Sequence, residues 1–386
     1  MSISRSVAIV GIGETEVGRV PGKSVMQLHA EAAKYAIEDA GLRKEDIDGV
    51  FSVGSRAESF PIHSTVVCEY LQIVPKTTAQ LILGGAGNAA MLFHAAQAVA
   101  AGVADTILCV CGESLLSVLS RDVAVAQMAD TGHPQYEQPY GTLIPSLYGL
   151  AAQRHMHEYG TTPEDLAAVA VAMRRHAARN PAAQMRAPIT IDDVLNSKMV
   201  ATPLHILDCS LVSDGGAAVI VTTPERAKDL RKPPVYLLGA GEGHGHEHIS
   251  QAASLTSFGC RASGERAYRM AGLGPKDMDF AMLYDCFTIT VLIELEDLGF
   301  VEKGEAGAFF RAGRADLGGD LPINTHGGLL SHAHPGRPGG MFHVTEGVRQ
   351  LRGEAGERQV RDAAVGLVHC NGGILSTHCT LILGRN

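Results

Sequence analysis

The chain has 386 residues, 46% of them hydrophobic, enough for large buried cores and two or three domain-sized units. A formal charge of −9, with Lys and Arg scattered and no basic patch, argues against a nucleic-acid or anionic-membrane role. Eight cysteines, several inside apolar runs such as Ile107-Leu108-Cys109-Val110-Cys111, form no disulfide framework and point to a reducing cytoplasm.

At the N-terminus, residues 1–5 run directly into the strand-like Val7-Ala8-Ile9-Val10, leaving no room for a signal peptide. Gly11-Ile12-Gly13 lacks the third glycine of a dinucleotide fingerprint. Apolar runs predict strands at 6–11, 48–53, 78–83, 105–112, 216–222, 234–240, 278–284, 364–370 and 376–383. Helical patterns lie between them at 24–40, 86–102, 262–272, 288–298 and 340–352. This alternation predicts an α/β protein with a largely buried sheet. Residues 112–207 break the rhythm with polar loops, Met- and Tyr-rich turns and one helix over 163–179, and read as an insertion lying over the sheet. No apolar stretch reaches the roughly 20 residues that span a bilayer.

An internal repeat organises the chain. Residues 36–48 (AIEDAGLRKEDID) align without gaps on 267–279 (AYRMAGLGPKDMD). Each copy ends a helix at Ala-Gly-Leu, turns and enters an apolar strand. Gly41 and Gly272 are placed as helix C-terminal glycines, where positive φ is cheap only without a Cβ. A weaker echo pairs Gly84-Gly85-Ala86-Gly87, opening one helix, with Gly336-Arg337-Pro338-Gly339-Gly340, opening another. Two similar halves follow from this.

Four segments carry groups able to do chemistry. Residues 324–336 place His332 and His334 between glycines just before a helix predicted to start near Gly339. An imidazole facing a helix N-terminus suits a thioester oxygen gaining charge; His-x-His in a glycine loop also reads as a solvated turn or a metal pair. Cys370 ends an apolar strand before Asn371-Gly372-Gly373, at a sheet edge where α/β proteins build sites; composition alone reads it as one more buried thiol. Tyr284 stands at a strand end and offers a phenol to a substrate oxygen, or merely caps a core. Residues 208–217 form a turn whose donors, Ser213 included, could meet a pantetheine amide. His244, His246 and His248 alternate in a loop with no matching cysteine pair, a poor pattern for a closed zinc site, and no metal is assigned.

Order and spacing of these segments resemble the thiolase superfamily, in particular its sterol-carrier-protein thiolase-like branch of lipid-transfer proteins and acyl-CoA aldolases. The match runs through Ala95-Ala96-Gln97-Ala98, Asn180-Pro181, Ser213-Asp214-Gly215-Gly216-Ala217, Tyr284-Asp285-Cys286-Phe287, His334-Pro335 and Cys370-Asn371-Gly372. The resemblance implies a thiolase fold: two similar βαβαβαββ halves stacked as a five-layer αβαβα sandwich. The N-terminal half takes 1–112 plus 208–231, the inserted loop region 113–207, and the C-terminal half 232–386. It also implies a homodimer through the N-terminal half and a small OB-fold, zinc-ribbon partner protein that supplies part of the coenzyme A site.

The family's nucleophilic cysteine opens the helix that ends in the Ala-Ala-Gln-Ala motif, and counting back from Gln97 that position is Gly85. With no thiol or hydroxyl there, an acyl-enzyme at this position is chemically excluded. Tyr284 takes the place of the family's asparagine, His334 is its Gly-His-Pro histidine with Ala333 for the glycine, and Cys370 is its acid/base cysteine. The resemblance therefore implies catalytic roles for Tyr284, His334 and Cys370, with Gly85, Ser213, Asp285 and Gly372 contacting the acyl-CoA. The implied reaction is retro-aldol cleavage of a β-hydroxyacyl-CoA, with the thioester as substrate and no covalently bound cofactor. Two alternatives stand beside it: an acyltransferase that could use Cys370 as nucleophile, and a non-catalytic acyl-CoA or lipid carrier.

Overall fold

The computed structural model describes residues 3–385. The first half runs β1 (Ala8–Glu14), α1 (Val25–Ala40), β2 (Gly49–Ser52), α2 (His63–Leu71), β3 (Thr77–Gln80), α3 (Gly87–Ala100) and β4 (Thr106–Ser114). A region of short elements follows: α4 (Leu115–Val118), α5 (Arg121–Ala129), α6 (Ile144–Tyr159), α7 (Pro163–Ala177), α8 (Ile191–Leu195) and the hairpin β5 (Met199–Ala201) and β6 (Leu204–His205). Then β7 (Asp214–Thr222) and α9 (Pro224–Ala227) close the half. The second half runs β8 (Val235–His244), α10 (Gly259–Ala271), β9 (Phe280–Leu283), α11 (Thr288–Asp297), α12 (Ala306–Arg311), α13 (Gly339–Arg352), β10 (Val365–Gly372) and β11 (Thr377–Gly384).

Among the described residues the large sheet has nine strands in the order β3-β2-β4-β7-β1-β8-β11-β10-β9. In the first half β2 is parallel to β3 and β4, while β7 runs antiparallel between β4 and β1. The second half repeats this: β10 is parallel to β9, and β11 runs antiparallel between β10 and β8. Where β3 would recur beside β9, a single parallel bridge, Ala281 to Ile323, takes its place. The half-sheets meet edge to edge through the pairs Ala8–Tyr236 and Ile9–Val235 of β1 and β8.

Strand alternation sets the layers. Leu108, Val110, Ala218 and Ile220 face one way and pack with Ala32, Ala33 and Ala36 of α1. Ile107, Cys109, Cys111, Val219 and Val221 face the other way, toward α3. Helices α3 and α13 touch each other and lie between the half-sheets, with α1 outside the first and α10 outside the second. That is a five-layer αβαβα order. The two copies of the repeat end alike: Gly41 and Gly272 both have φ 69° and ψ 27°, the left-handed conformation a side chain would strain.

The region predicted as mainly loop is largely helical. Only α7 is predicted there, yet α6 spans sixteen residues. Its buried face of Leu147, Tyr148, Ala151, Ala152 and His155 follows helical spacing, but Pro145 and Gly149 mask it as a turn in sequence. Pro145 sits in the first turn, where a missing N–H costs nothing. Helices α2 and α12 are likewise absent from the sequence-based assignment.

Candidate active site

The three groups that could carry catalysis arrive on separate elements. Tyr284 follows β9, His334 precedes α13, and Cys370 lies within β10. Tyr284 Oη lies 3.2 Å from His334 Nε2, with the rings edge-on at 6.1 Å between centroids. His334 Nδ1 lies 2.8 Å from Ser210 Oγ. The backbone of His334 is clamped by Ser213, whose Oγ accepts the His334 N–H at 3.0 Å and whose N–H donates to the His334 carbonyl at 3.2 Å. Cys370 Sγ lies 3.7 Å from the Gly340 carbonyl, on the first turn of α13.

Glycines make the convergence possible. A Cβ built on Gly85 would fall 2.5 Å from Tyr284 Cε2 and closer still to Cζ and Oη, so the phenol fills the space a side chain at 85 would need. A Cβ on Gly340 would sit 2.8 Å from Cys370 Sγ and 2.7 Å from the Gly85 carbonyl. Tyr284 therefore packs on Gly85 and Cys370 on Gly340, and the two glycines lie against each other. A Cβ on Gly339 would meet His334 Cδ2 at 2.8 Å, which sets the imidazole against the N-terminus of α13. Gly372 packs on Leu83 and Gly84, bringing the β10 turn against the segment that opens α3.

Electrostatics follow from burial. Desolvation holds the His334 imidazole near 4, so it is neutral at pH 7 and able to accept a proton. Burial also pushes the Tyr284 phenol and the Cys370 thiol well above their ordinary ranges, keeping both protonated. Asp285 is raised to about 7 by burial. Its oxygens accept the Leu329 and Leu330 N–H groups at 2.7 and 3.2 Å, steadying the π-helical turn Gly328–His332 that leads to His334. Asp285 and Ser213 are both fully buried, and their hydrogen bonds hold the loop that carries His334.

Residues 7–225 match the model described as thiolase, N-terminal domain, and residues 241–385 match thiolase C-terminal domain-like. The chain belongs to the thiolase superfamily, in its sterol-carrier-protein thiolase-like branch. It is 36% identical over 386 residues to an acetyl-CoA acetyltransferase of Methanothermobacter thermautotrophicus, covering 99% of this chain and 100% of that one. It is 38% identical over 364 residues to a steroid side-chain-cleaving aldolase of Thermomonospora curvata, covering 90% of each. Among solved structures, an Ltp2-ChsH2(DUF35) aldolase superposes with a TM-score of 0.88 at 36% identity, covering 99% of this chain and 98% of that one.

On this thiolase scaffold several participants escape the sequence reading. Ser210 fixes the far side of His334, yet nothing distinguishes it from Ser213 in sequence. Asn371 donates to Glu294 Oε1 at 2.6 Å, and Tyr148 Oη, from α6, donates to the Gly373 carbonyl at 3.0 Å, so the turn after Cys370 is held from two directions. The three loop histidines do not converge: His244 pairs with Glu242, His246 bonds the Ile374 carbonyl, and His248 neighbours Glu137.

Proposed function

We propose that this thiolase-superfamily enzyme cleaves the Cα–Cβ bond of a β-hydroxyacyl-CoA by a retro-aldol reaction, releasing a carbonyl compound and a shortened acyl-CoA, without an acyl-enzyme. The observation that carries this is the Tyr284 hydroxyl, bonded to a neutral His334, in the space in front of Gly85. A nucleophile at that position is replaced by a proton-handling pair.

The chemistry balances within these groups. The substrate β-hydroxyl gives its proton to Tyr284 Oη as the phenolic proton passes to His334 Nε2, while His334 Nδ1–H donates to Ser210. The electron pair of the Cα–Cβ bond moves into the thioester, and backbone N–H groups near Gly85 and Gly372 meet the enolate oxygen. The Cys370 thiol protonates Cα, and the proton held by the Tyr284–His334 pair returns to sulfur. One hydroxyl proton enters and one Cα proton leaves. Tyr284→Phe and His334→Ala should each lower turnover on a β-hydroxyacyl-CoA panel by about a hundredfold or more; full turnover in both removes the mechanism.

The proposed enzyme is a homodimer through the N-terminal half, takes a small OB-fold, zinc-ribbon partner that completes the coenzyme A site, and works in a reducing cytoplasm that suits eight free cysteines. Support for the partner is the solved aldolase that pairs Ltp2 with ChsH2(DUF35). Among the described residues no helix is long and apolar enough to cross a membrane. A transferase reading, with Cys370 as nucleophile, is favoured by the likeness to the acetyl-CoA acetyltransferase over its full length. Acyl adduct on the Cys370 peptide after incubation with acyl-CoA would establish it.

A further inference from the structure

Outside the site, Cys260, His369 and His378 bring one sulfur and two imidazole nitrogens within 4.8 Å of one another, all fully buried. The arrangement follows from the β10–β11 register. His369 pairs with Thr380 and Asn371 with His378, so His369 and His378 are diagonal neighbours on one face of the hairpin. Cys370, one residue on, points to the opposite face, toward α13. Cys260 comes from the first turn of α10.

Hydrogen counting shows that this cluster lacks something. The contacts form a chain: Cys260 carbonyl to Ser263 Oγ at 2.8 Å, Ser263 Oγ to Thr380 Oγ1 at 2.8 Å, and Thr380 Oγ1 to His369 Nδ1 at 2.8 Å. It continues from His369 Nε2 to His378 Nδ1 at 3.1 Å and from His378 Nε2 to the Leu375 carbonyl at 3.0 Å. Five contacts each need a hydrogen, but two hydroxyls and two neutral imidazoles supply only four. With Ser263 donating to the Cys260 carbonyl and Thr380 to Ser263, His369 must donate through Nδ1. His378 donates through Nε2. Two bare lone pairs, His369 Nε2 and His378 Nδ1, then face each other. Glu294 adds a second anomaly: its Oε1 is 3.7 Å from His369 Nε2, and its buried Oε2 has no hydrogen-bond partner among the described residues.

We propose that Cys260, His369 and His378 bind a borderline-soft divalent cation, Zn2+ by donor preference. A cation supplies what the chain lacks, because both imidazole lone pairs then have a partner. The Cys260 thiolate offsets part of its charge. Thiolate sulfur and imidazole nitrogen are usual zinc ligands, and bound ligand atoms lie roughly 3.3–3.8 Å apart, so small side-chain shifts close the three-residue site. Since the cluster is sealed from solvent, the ion enters during folding and the site is structural. It staples α10 to the hairpin that carries Cys370.

Native mass spectrometry and elemental analysis of the full chain, produced in zinc-supplemented medium, test this without reference to turnover. The expected result is about one zinc per chain, reduced at least tenfold in Cys260→Ser and in His378→Ala and unchanged in His244→Ala. Protein produced in cobalt medium should show thiolate-to-cobalt charge-transfer absorption. That wild-type measurement decides the matter even if the variants fail to fold. Folded wild-type protein free of metal in both media, without that absorption, overturns the proposal and assigns the missing hydrogen to an imidazolium paired with Glu294. Neither readout depends on the lyase reading, so the two can fail separately.

Discussion

Gly85→Ala is the smallest change that reaches the heart of this site. The backbone tolerates it, since Gly85 is not among the glycines with positive φ. The cost lies in front of it: the new methyl would stand 2.5 Å from Tyr284 Cε2 and nearer to Cζ and Oη, where ordinary contact begins at 3.4 Å. The ring must retreat by about an ångström or more into a buried site, against His343, whose ring centroid is 6.0 Å away. Overpacking of this kind costs roughly 1–3 kcal/mol of stability. The same retreat breaks the 3.2 Å bond to His334, so turnover should fall by about a hundredfold, as for loss of a placed acid or base. Paired measurements of melting temperature and retro-aldol turnover read both effects. Adding Tyr284→Asn to Gly85→Cys should recover much of the stability while leaving retro-aldol activity absent, because the second change vacates the space the first one needs. Native stability together with full activity in Gly85→Ala would refute the reasoning.

Further predictions follow from single contacts. Ser210→Ala removes the hydrogen bond that orients His334 and should lower turnover on the order of tenfold with little change in KM, in line with about 1 kcal/mol for one such bond. His343 is held near 3 by burial, and neither ring nitrogen has a hydrogen-bond partner among the described residues. Its folded value is depressed, so the unfolded chain binds the extra proton, and stability is lost as pH falls from about 6.5 toward 3. His343→Leu should therefore stabilise the protein more at pH 5 than at pH 7.5, by roughly 2 kcal/mol from 1.4 kcal/mol per pH unit, measured by urea unfolding at both values. Equal gains at the two pH values would contradict that assignment.

Much of the scaffold is readable from sequence because its strands are buried on both faces and so appear as continuous apolar runs. β4 and β7, with every residue buried, are examples. The Ala-Gly-Leu repeat is legible for a local reason, since a helix ending in the left-handed conformation needs glycine at 41 and at 272. Helix α6 hides because Pro145 and Gly149 interrupt it and because its apolar face is completed only by packing. Tyr284, His334 and Cys370 come from motif spacing, but the Tyr284–His334 bond depends on a missing side chain at Gly85, and sequence shows only that the residue is glycine. Ser210, Glu294 and the Cys260–His369–His378 group depend on strand register and helix placement across separations that local pattern does not encode.

The most direct measurement follows a β-hydroxyacyl-CoA through turnover by mass spectrometry, reading small-molecule products and intact protein in the same reaction. The account predicts a carbonyl product and a shortened acyl-CoA in equal amounts, with the protein mass unchanged throughout. A covalent acyl adduct that forms and decays with turnover would contradict it.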